Sequence, residues 1–388
     1  MIPDFSRDVH HVLGLPFDAL DMAAATQRIR AAVQLRRPCF FSTPNLSFVT
    51  AALTNPSLRD SVVRSDMSIA DGMPLLWAAR LMGVPLPERV AGSSLFATLW
   101  HAHGAPIKVF FFGGAEGVAE AASQRLNADA AGLRCVGFDS PGFGTVAQMS
   151  SDERIGRINA TGAEFIVVSI GVAKGQAWIE HNRERLHAPV LAYLGAVVNF
   201  VAGKVKRAPA WMQHAGLEWL WRISEEPPLW RRYASDGATF ARLLATRVIP
   251  YAWNAHRNAP GASDIAAATA EYRDAEKVAG VAGVAGVAGV AGVAGAAELH
   301  LRGAWTAANL GPLRQAFAEA ASRPGALRLD ASRVTHMDSA AIALLCLLWA
   351  HFARGAHVLQ VSAVAPGVER VIRYCCAEYV LGGGPARE

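Results

Sequence analysis

Asp71 is the side chain in this sequence best suited to acid–base chemistry. It follows the short apolar run MSIA at residues 67–70 and precedes Gly72. A carboxylate at the end of a buried strand lies among apolar neighbours, and desolvation there makes it a stronger base. Because an acidic residue just before a helix is also a common helix cap, the pattern leaves both roles open.

Two further turns carry groups that could bind a sugar nucleotide. Thr43 and Asn45 flank a proline at a strand-to-helix junction, where they either cap the helix or hydrogen-bond a sugar or nucleotide. Gly113 and Gly114 lie in FFFGGAEGVAE, which resembles a Rossmann-type turn that lets the backbone approach a diphosphate at a helix N-terminus. The turn lacks the full G-x-G-x-x-G spacing, so it does not define such a site by itself.

Motifs for several other chemistries are absent from the sequence. There is no D-x-D motif for a metal-bridged nucleotide sugar, no P-loop, no G-x-S-x-G elbow and no paired histidine spacing. We therefore expect no bound metal and no cofactor. A departing diphosphate would then have to be neutralised by helix dipoles and by Arg or Lys.

Residues 203–233 combine aromatic and basic side chains. Four of the ten tryptophans lie there, among these basic residues: Lys204, Lys206, Arg207, Arg222, Arg231 and Arg232. Indole rings bury apolar area and guanidinium groups match phosphate oxygens, so the segment favours a surface where apolar matter meets phosphate. A solvated helix with one buried face is the alternative. The net charge of +5 suits a phosphate ligand or an anionic membrane and is too diffuse to indicate nucleic acid.

The elements that would position these groups alternate between strand and helix, which predicts a parallel α/β architecture. Four apolar strands, CFFST, SDMSIADG, KVFFFGG and EFIVVSIG, each run into a turn before a helix. Ligands of open parallel sheets bind beyond the carboxyl ends of the strands. We therefore expect one crevice to collect the turn residues Thr43, Asn45, Asp71, Gly113, Gly114, Lys174 and Gln176.

The length of 388 residues predicts two domains. Residues 278–295 are VAG triplets with little apolar area to bury, which indicates a linker. The predicted division is a large domain at 1–255, a linker at 256–297 and a small domain at 298–388. No secretory signal and no run long enough to span a membrane is evident, so we expect a cytoplasmic protein that meets a membrane only at its surface.

Several ordered blocks of the sequence resemble the WecG/TagA/CpsF glycosyltransferases. They are STPNLSFVTAAL through SDMSIADGMPLLWAARLMG, then KVFFFGGAEGVAE, GVAKGQAWIEHNRERL and GKVKRAPAWMQHAGLEWLWR, within about residues 10–250. The resemblance implies a Rossmann-like domain that performs an inverting, metal-independent transfer from a UDP-sugar. It also implies a polyprenyl-diphosphate-linked saccharide as acceptor, at the inner face of the cytoplasmic membrane.

The same resemblance assigns roles to the candidate residues. Asp71 matches the family's catalytic base, and Thr43 and Asn45 match its pocket-lining Thr-Pro-Asn. We predict that Thr43 is catalytic together with Asp71. Substrate-binding positions are Asn45, Gly72, Gly113, Gly114, Lys174, Gln176, Arg207, Arg222, Arg231 and Arg232. The four arginines match basic residues that meet the diphosphate and the membrane.

The sequence also departs from the family pattern. The usual Pro-Lys-Gln-Glu turn reads Ala-Lys-Gly-Gln here, with Gly175 and Gln176 at its last two positions. Asn199 stands at an acidic position and Pro228 where an arginine is expected. Two alternatives to an active enzyme therefore stay open: a nucleotide-sugar-binding regulator, and a scaffold for other polysaccharide enzymes.

The C-terminal strand and helix pattern resembles a STAS domain, a small α/β fold of anti-sigma-factor antagonists. Asp338 and Ser339 match the pair that opens a helix and accepts a phosphate in many relatives, so Ser339 is a candidate phosphosite. An ordinary Asp/Ser helix cap is the alternative. The resemblance implies a protein partner for this domain.

Overall fold

A computed structural model describes residues 2–129, 131–205, 208–209, 211–212, 216–274, 296–354 and 358–382. The chain divides into two compact units, which we call the central unit and the terminal unit. The central unit consists of Asp18–Trp77 and Leu86–Phe240. The terminal unit consists of Met1–Phe17, Ala78–Pro85 and Ala241–Glu388.

Strands and helices alternate through most of the described chain. The strands are β1 Val9–Val12, β2 Leu15–Asp18, β3 Cys39–Ser42, β4 Met67–Ser68, β5 Ile107–Gly113, β6 Leu133–Asp139, β7 Phe165–Ser169, β8 Val190–Tyr193, β9 Thr269–Arg273, β10 Ala297–Trp305, β11 Leu327–Met337 and β12 Leu359–Val364. The helices of the first half are α1 Met22–Gln34, α2 Leu46–Ala52, α3 Pro56–Val63, α4 Met73–Leu81, α5 Gly92–Trp100, α6 Val118–Ala128, α7 Asp152–Ala160 and α8 Val172–Asn182. The later helices are α9 Val197–Val201, α10 Glu218–Glu225, α11 Trp230–Leu243, α12 Ile249–Arg257, α13 Ala262–Ala266, α14 Gly311–Ser322, α15 Ser339–Arg354 and α16 Pro366–Tyr374.

The central unit is built on a parallel sheet with strand order β4-β3-β8-β7-β5-β6. The strands β3, β7 and β8 in its middle are short, buried and mostly apolar, as expected where helices cover both faces of a parallel sheet. Alternation along β5 sends Phe111 into the core on one face and Phe110 and Phe112 into the core on the other. The predicted Rossmann-like parallel sheet is confirmed, and all four strands expected from the sequence are present.

The terminal unit contains a second sheet with order β12-β11-β10-β9. The pairs β10–β11 and β11–β12 are parallel, whereas β9 runs antiparallel to β10. These elements follow the order of strands and helices predicted for the small C-terminal α/β domain. The strands β1 and β2 form a two-stranded sheet joined by Leu13 and Gly14, both with positive φ, and we call this pair the N-terminal hairpin.

The expectation that residues 256–297 are all linker needs correction. Residues Ala262–Ala266 form α13, and Thr269–Arg273 form β9, the edge strand paired with β10. Composition alone did not indicate this strand, because an edge strand buries little apolar area. Its side chains alternate between half-buried and exposed. The VAG triplets lie outside the described residues.

Among the described residues, no helix has both the length and the apolar character needed to cross a membrane. All five cysteines lie in the described part of the chain, where each is buried and none forms a disulfide bond.

Candidate functional site

Three of the predicted residues meet at the carboxyl ends of the neighbouring strands β3 and β4. The backbone N–H of Asp71 donates to the carbonyl of Pro44 at 2.9 Å, which ties the two turns together. A side chain at Gly72 would begin 3.8 Å from Cβ of Asn45. Thr43 is buried, Asp71 is half-buried and Asn45 is exposed. The structure therefore brings the carboxylate, the hydroxyl and the amide to one edge of the sheet.

Asn45 also has a local role, since its side chain accepts a hydrogen bond from the N–H of Phe48 at 3.1 Å and caps α2. The cap uses the carbonyl oxygen of the side chain, and the NH2 group of this exposed amide can still donate a hydrogen bond.

The start of α5 supplies a group that the sequence did not reveal. The N–H of Gly92 donates to the carboxylate of Asp71 at 3.2 Å. A helix N-terminus stabilises an ionised carboxylate. A side chain at Gly92 would start 2.7 Å from Cδ2 of Leu194 and 2.9 Å from Oγ1 of Thr43. Only a glycine lets this N–H reach Asp71 while Thr43 stays in place.

The turn after β5 has the backbone that an anion-binding loop needs. Gly113 and Gly114 have φ of 106° and 89°, values that other residues rarely adopt. A side chain at Gly113 would lie 2.6 Å from the carbonyl of Ser169, so the close approach of β5 and β7 also excludes one. Gly117 precedes α6, whose first N–H groups point out of the helix end. Such a loop can accept a diphosphate.

The two residues predicted to bind substrate in and after the turn that follows β7, Lys174 and Gln176, differ in their exposure. Lys174 is half-buried, and its Nζ donates to the carbonyl of Gly144 at 2.8 Å. Gln176 is only 1% exposed. Its amide accepts from Ser61 at 3.0 Å and donates to Ser42 at 3.1 Å, so it ties α8 to α3 and β3. This placement argues against the predicted substrate contact of Gln176, because the amide is already used inside the fold.

Tyr193 at the end of β8 explains the altered turn. A side chain at either Gly175 or Gly195 would overlap the Tyr193 ring. The glycine at position 175 therefore makes room for an aromatic ring at the carboxyl edge of the sheet. Burial raises the pKa of Tyr193 to about 12, and the positive charge of Arg232 opposes that shift.

Helix α11 is fixed beside this edge by Asp236. The carboxylate of Asp236 accepts hydrogen bonds from the hydroxyls of Ser47 and Thr50 on α2, the latter at 2.7 Å. Arg232 lies four residues before Asp236 and thus on the same face of α11. The structure therefore carries Arg232 to the region of Tyr193, next to the turns that hold Asn45 and Asp71.

Large aromatic side chains are exposed on the segments that follow. Trp219 and Trp230 are 42% and 54% exposed. The guanidinium of Arg231 lies 5.8 Å from the centre of the Trp230 ring, and that of Arg222 lies 6.0 Å from the centre of the Phe200 ring. We call the exposed faces of α10 and α11 the aromatic-basic surface.

The aromatic-basic surface is anchored to the central unit at its start. Glu218 forms an ion pair with Arg89 at 2.5 Å. A side chain at Gly216 would lie 2.9 Å from Cβ of Met73, so this segment approaches α4 closely. Arg222 pairs with Glu226 at 3.2 Å, one turn along α10. Arg207 lies outside the described residues.

Ser339 begins α15 in the terminal unit and is 4% exposed. Asp338 caps the helix, because its carboxylate accepts from the N–H groups of Ala340 and Ala341, both at 2.9 Å. Within the described ranges, no group of three or more His, Cys, Asp or Glu side chains could hold a metal ion.

Named relatives share about half of the chain. A protein of Bacillus spizizenii named N-acetylglucosaminyldiphosphoundecaprenol N-acetyl-beta-D-mannosaminyltransferase is 29% identical over 197 residues, covering 50% of this chain and 75% of the relative. A protein of the same name from Staphylococcus aureus is 25% identical over 224 residues, covering 57% of this chain and 85% of the relative.

Two family models match the sequence and confirm the resemblances. Residues 288–378 match the Mlab, STAS domain, and residues 10–252 match the glycosyl transferase WecG/TagA/CpsF family. The second match spans more than half of the chain and includes every strand-end residue described above. The protein therefore belongs to the WecG/TagA/CpsF family of glycosyltransferases and carries a C-terminal STAS domain.

Proposed function

We propose that this glycosyltransferase moves a hexose derivative from a UDP-sugar to a polyprenyl-diphosphate-linked saccharide, with inversion and without a metal ion. The observation that supports this most directly is the half-buried carboxylate of Asp71, which lies beside Thr43 and Asn45 and accepts the N–H of Gly92. The names of the relatives favour N-acetylmannosamine as donor sugar, with glucose or a related sugar as the other options, and an undecaprenyl-linked acceptor.

The proposed reaction is a single displacement. The carboxylate of Asp71 takes the proton of an acceptor hydroxyl, whose oxygen attacks the anomeric carbon of the donor. The bond between that carbon and the UDP oxygen breaks as the new glycosidic bond forms, and UDP leaves with the electron pair. One base suffices for this step, and attack from the opposite face inverts the anomeric centre.

The leaving diphosphate requires positive groups where its charge develops. The glycine turn at Gly113 and Gly114, with the N-terminus of α6, supplies backbone donors. Lys174 and Arg232 supply cations at the same edge of the sheet. Thr43, buried next to Gly92, positions the base and the donor sugar.

The aromatic-basic surface is the proposed contact for the acceptor. Its arginines suit the diphosphate of the acceptor, and its exposed tryptophans suit the interface of an anionic bilayer. We therefore place the protein at the inner face of the cytoplasmic membrane, in the synthesis of an exopolysaccharide or related surface glycan.

A donor screen tests the proposal. The full chain is incubated with UDP-N-acetylmannosamine, UDP-glucose or UDP-uronic acids and a polyprenyl-diphosphate-linked N-acetylglucosamine, with and without a chelator. We expect transfer from one donor, unaffected by the chelator, and a product of inverted anomeric configuration by NMR. UDP-sugar binding without transfer would favour the nucleotide-sugar-binding regulator, and a retained configuration would contradict the single displacement.

A further inference from the structure

The first turn of α15 in the terminal unit is covered by other parts of the same chain. The hydroxyl of Ser339 lies 3.2 Å from Nδ1 of His10 on β1. Tyr251 on α12 also hydrogen-bonds Ser339, and burial raises the pKa of that tyrosine. Ser339 is thus enclosed by the N-terminal hairpin and by α12, and not by the STAS residues alone.

The contact extends well beyond one serine. The N–H of Gly14, in the turn of the hairpin, donates to the carbonyl of Cys375 at 2.7 Å. Nε2 of His11 lies 3.3 Å from the hydroxyl of Tyr379. The ring of Phe5 packs edge-on against Phe317 with centroids 5.9 Å apart. These contacts reach α14 and the residues that directly follow α16.

The sequence of α15 explains why this cover is needed. The run SAAIALLCLLWA is apolar on all sides, and residues 339–350 are all buried. A helix that is apolar all round needs a cover on every face. Its own sheet covers one face, and β1 packs against α15 with Val9 and Val12 only 2% and 0% exposed.

The covering elements come from the transferase family's own region. The family match spans residues 10–252, yet residues 10–17 and 241–252 belong to the terminal unit together with the STAS domain. We infer that the STAS surface around Ser339 is an intrachain docking surface for residues 5–17 and 249–257, so that a kinase or a protein partner reaches Ser339 only after these residues have left it.

A phosphate on Ser339 would be incompatible with the docked arrangement. It would add about two negative charges at a position that is only 4% exposed. Burying such a charge beside His10 and Tyr251 carries a large desolvation cost. Charge at Ser339 and docking of the hairpin should therefore exclude each other.

Hydrogen–deuterium exchange on the full chain tests this inference. In the wild type, amides of residues 9–17 should be protected. Ser339→Asp should lower their protection at least about tenfold, because it places a carboxylate in a buried contact where burial lowers the pKa of the facing His10 and so disfavours its charged form. Ser339→Ala removes the hydroxyl without adding charge and should have a smaller effect. Ser263→Asp is the matched control, since Ser263 is exposed in the first turn of α13, and it should leave the hairpin protected.

Protection of β5 in the central unit shows in each sample whether the chain is folded. The inference is overturned if residues 9–17 exchange freely in the folded wild type. Equal protection of these residues in folded Ser339→Asp and Ser263→Asp overturns it as well.

Cleavage of the chain at the VAG triplets gives an independent test. A protease site is inserted within residues 278–295 of the full chain, and the cut protein is passed over a gel-filtration column. The strand β9 pairs with β10 across the cut in both proteins, so the comparison between them reports the docking. We expect the two fragments of the wild type to co-elute and those of Ser339→Asp to separate at lower protein concentration. Separation of the wild-type fragments under native conditions would overturn the inference.

Discussion

The backbone N–H of Gly92 donates a hydrogen bond to the carboxylate of Asp71 at 3.2 Å, across 21 residues of sequence. The contact holds one oxygen of the proposed base at the N-terminus of α5. It depends on the missing side chain at position 92, because that position faces Thr43 and Leu194 at distances too short for a Cβ atom.

Replacing Gly92 with alanine should therefore disturb the site more than the fold. The new Cβ would push Thr43 and Leu194 away, and overpacking of this kind costs about 1–3 kcal/mol. We expect Gly92→Ala to lower transferase activity by more than tenfold. Gly156→Ala is the matched control, because Gly156 lies inside α7 with open space at its Cβ position. Equal activity of the two variants would contradict the role of the Gly92 contact.

The turn at Gly175 makes a second prediction, this time about stability. Gly175→Gln restores the side chain usual in the family but drives it into the Tyr193 ring. We expect a loss of about 1–3 kcal/mol in the free energy of unfolding, measured by denaturant titration. Combining it with Tyr193→Ala should remove the clash. The loss of unfolding free energy in the double variant should therefore be smaller than the sum of the losses in the two single variants. Additive effects within about 0.5 kcal/mol would show that the two positions do not interact.

The strand-end residues could be predicted because an apolar run followed by a turn indicates where each parallel strand ends. Thr43, Asn45 and Asp71 could be assigned to one crevice on that basis. The role of Gly92 was not visible, since the N–H that matters belongs to the backbone and its partner lies on another turn. Gln176 was predicted to contact substrate, whereas its amide bonds Ser42 and Ser61 inside the fold. The sequence shows that Gln176 lies on a helix, but it does not show that the partners of its amide lie on β3 and α3.

Long-range packing also explains why two features of the terminal unit, the strand β9 and the burial of Ser339, were not predicted from the sequence. The strand β9 is polar and precedes the VAG triplets, so nothing local separates it from a linker. The burial of Ser339 depends on His10, which lies 329 residues away. Local sequence patterns predict secondary structure and helix caps, whereas contacts between distant residues are seen only in the folded chain.

The aromatic-basic surface should bind anionic bilayers. We expect the full chain to bind vesicles containing phosphatidylglycerol better than pure phosphatidylcholine, and salt should weaken this binding. Arg231→Ala should weaken it about fivefold, since one cation near an anionic surface contributes about 1 kcal/mol. Trp230→Ala should weaken it further.

The pair Trp253 and Arg257 on α12 is the matched control. The guanidinium of Arg257 lies 5.3 Å from the centre of the Trp253 ring, and Trp253 is 64% exposed, but the pair lies in the terminal unit. The same loss from Trp253→Ala as from Trp230→Ala would show that exposed tryptophans bind lipid without regard to position.

Acid should destabilise the N-terminal hairpin. Burial lowers the pKa of His11 from 6.5 to about 3, so the folded state keeps this imidazole neutral while the unfolded chain protonates it. Stability is therefore present above pH 6.5 and is lost as the pH falls toward 3. One such proton contributes a slope of about 1.4 kcal/mol per pH unit.

Denaturant unfolding of the terminal unit at a series of pH values measures this slope. His11→Gln should reduce it by the contribution of one proton. His103→Gln, an exposed substitution in the central unit, is the control for replacing a histidine outside the unit that is measured. An unchanged slope in His11→Gln would mean that this histidine is not held neutral by the docked hairpin.

The most direct test of the central claim is the single-turnover rate of UDP release by Asp71→Asn, with saturating donor and polyprenyl-linked acceptor. Asp139→Asn is the control, because Asp139 ends β6 at the opposite edge of the sheet and pairs with Arg154 at 2.7 Å. If Asp71 is the base, its variant should lose at least about 10²-fold in rate while its unfolding and its affinity for UDP stay unchanged, and the control should stay active. A rate for Asp71→Asn within a few-fold of the wild type would contradict the account.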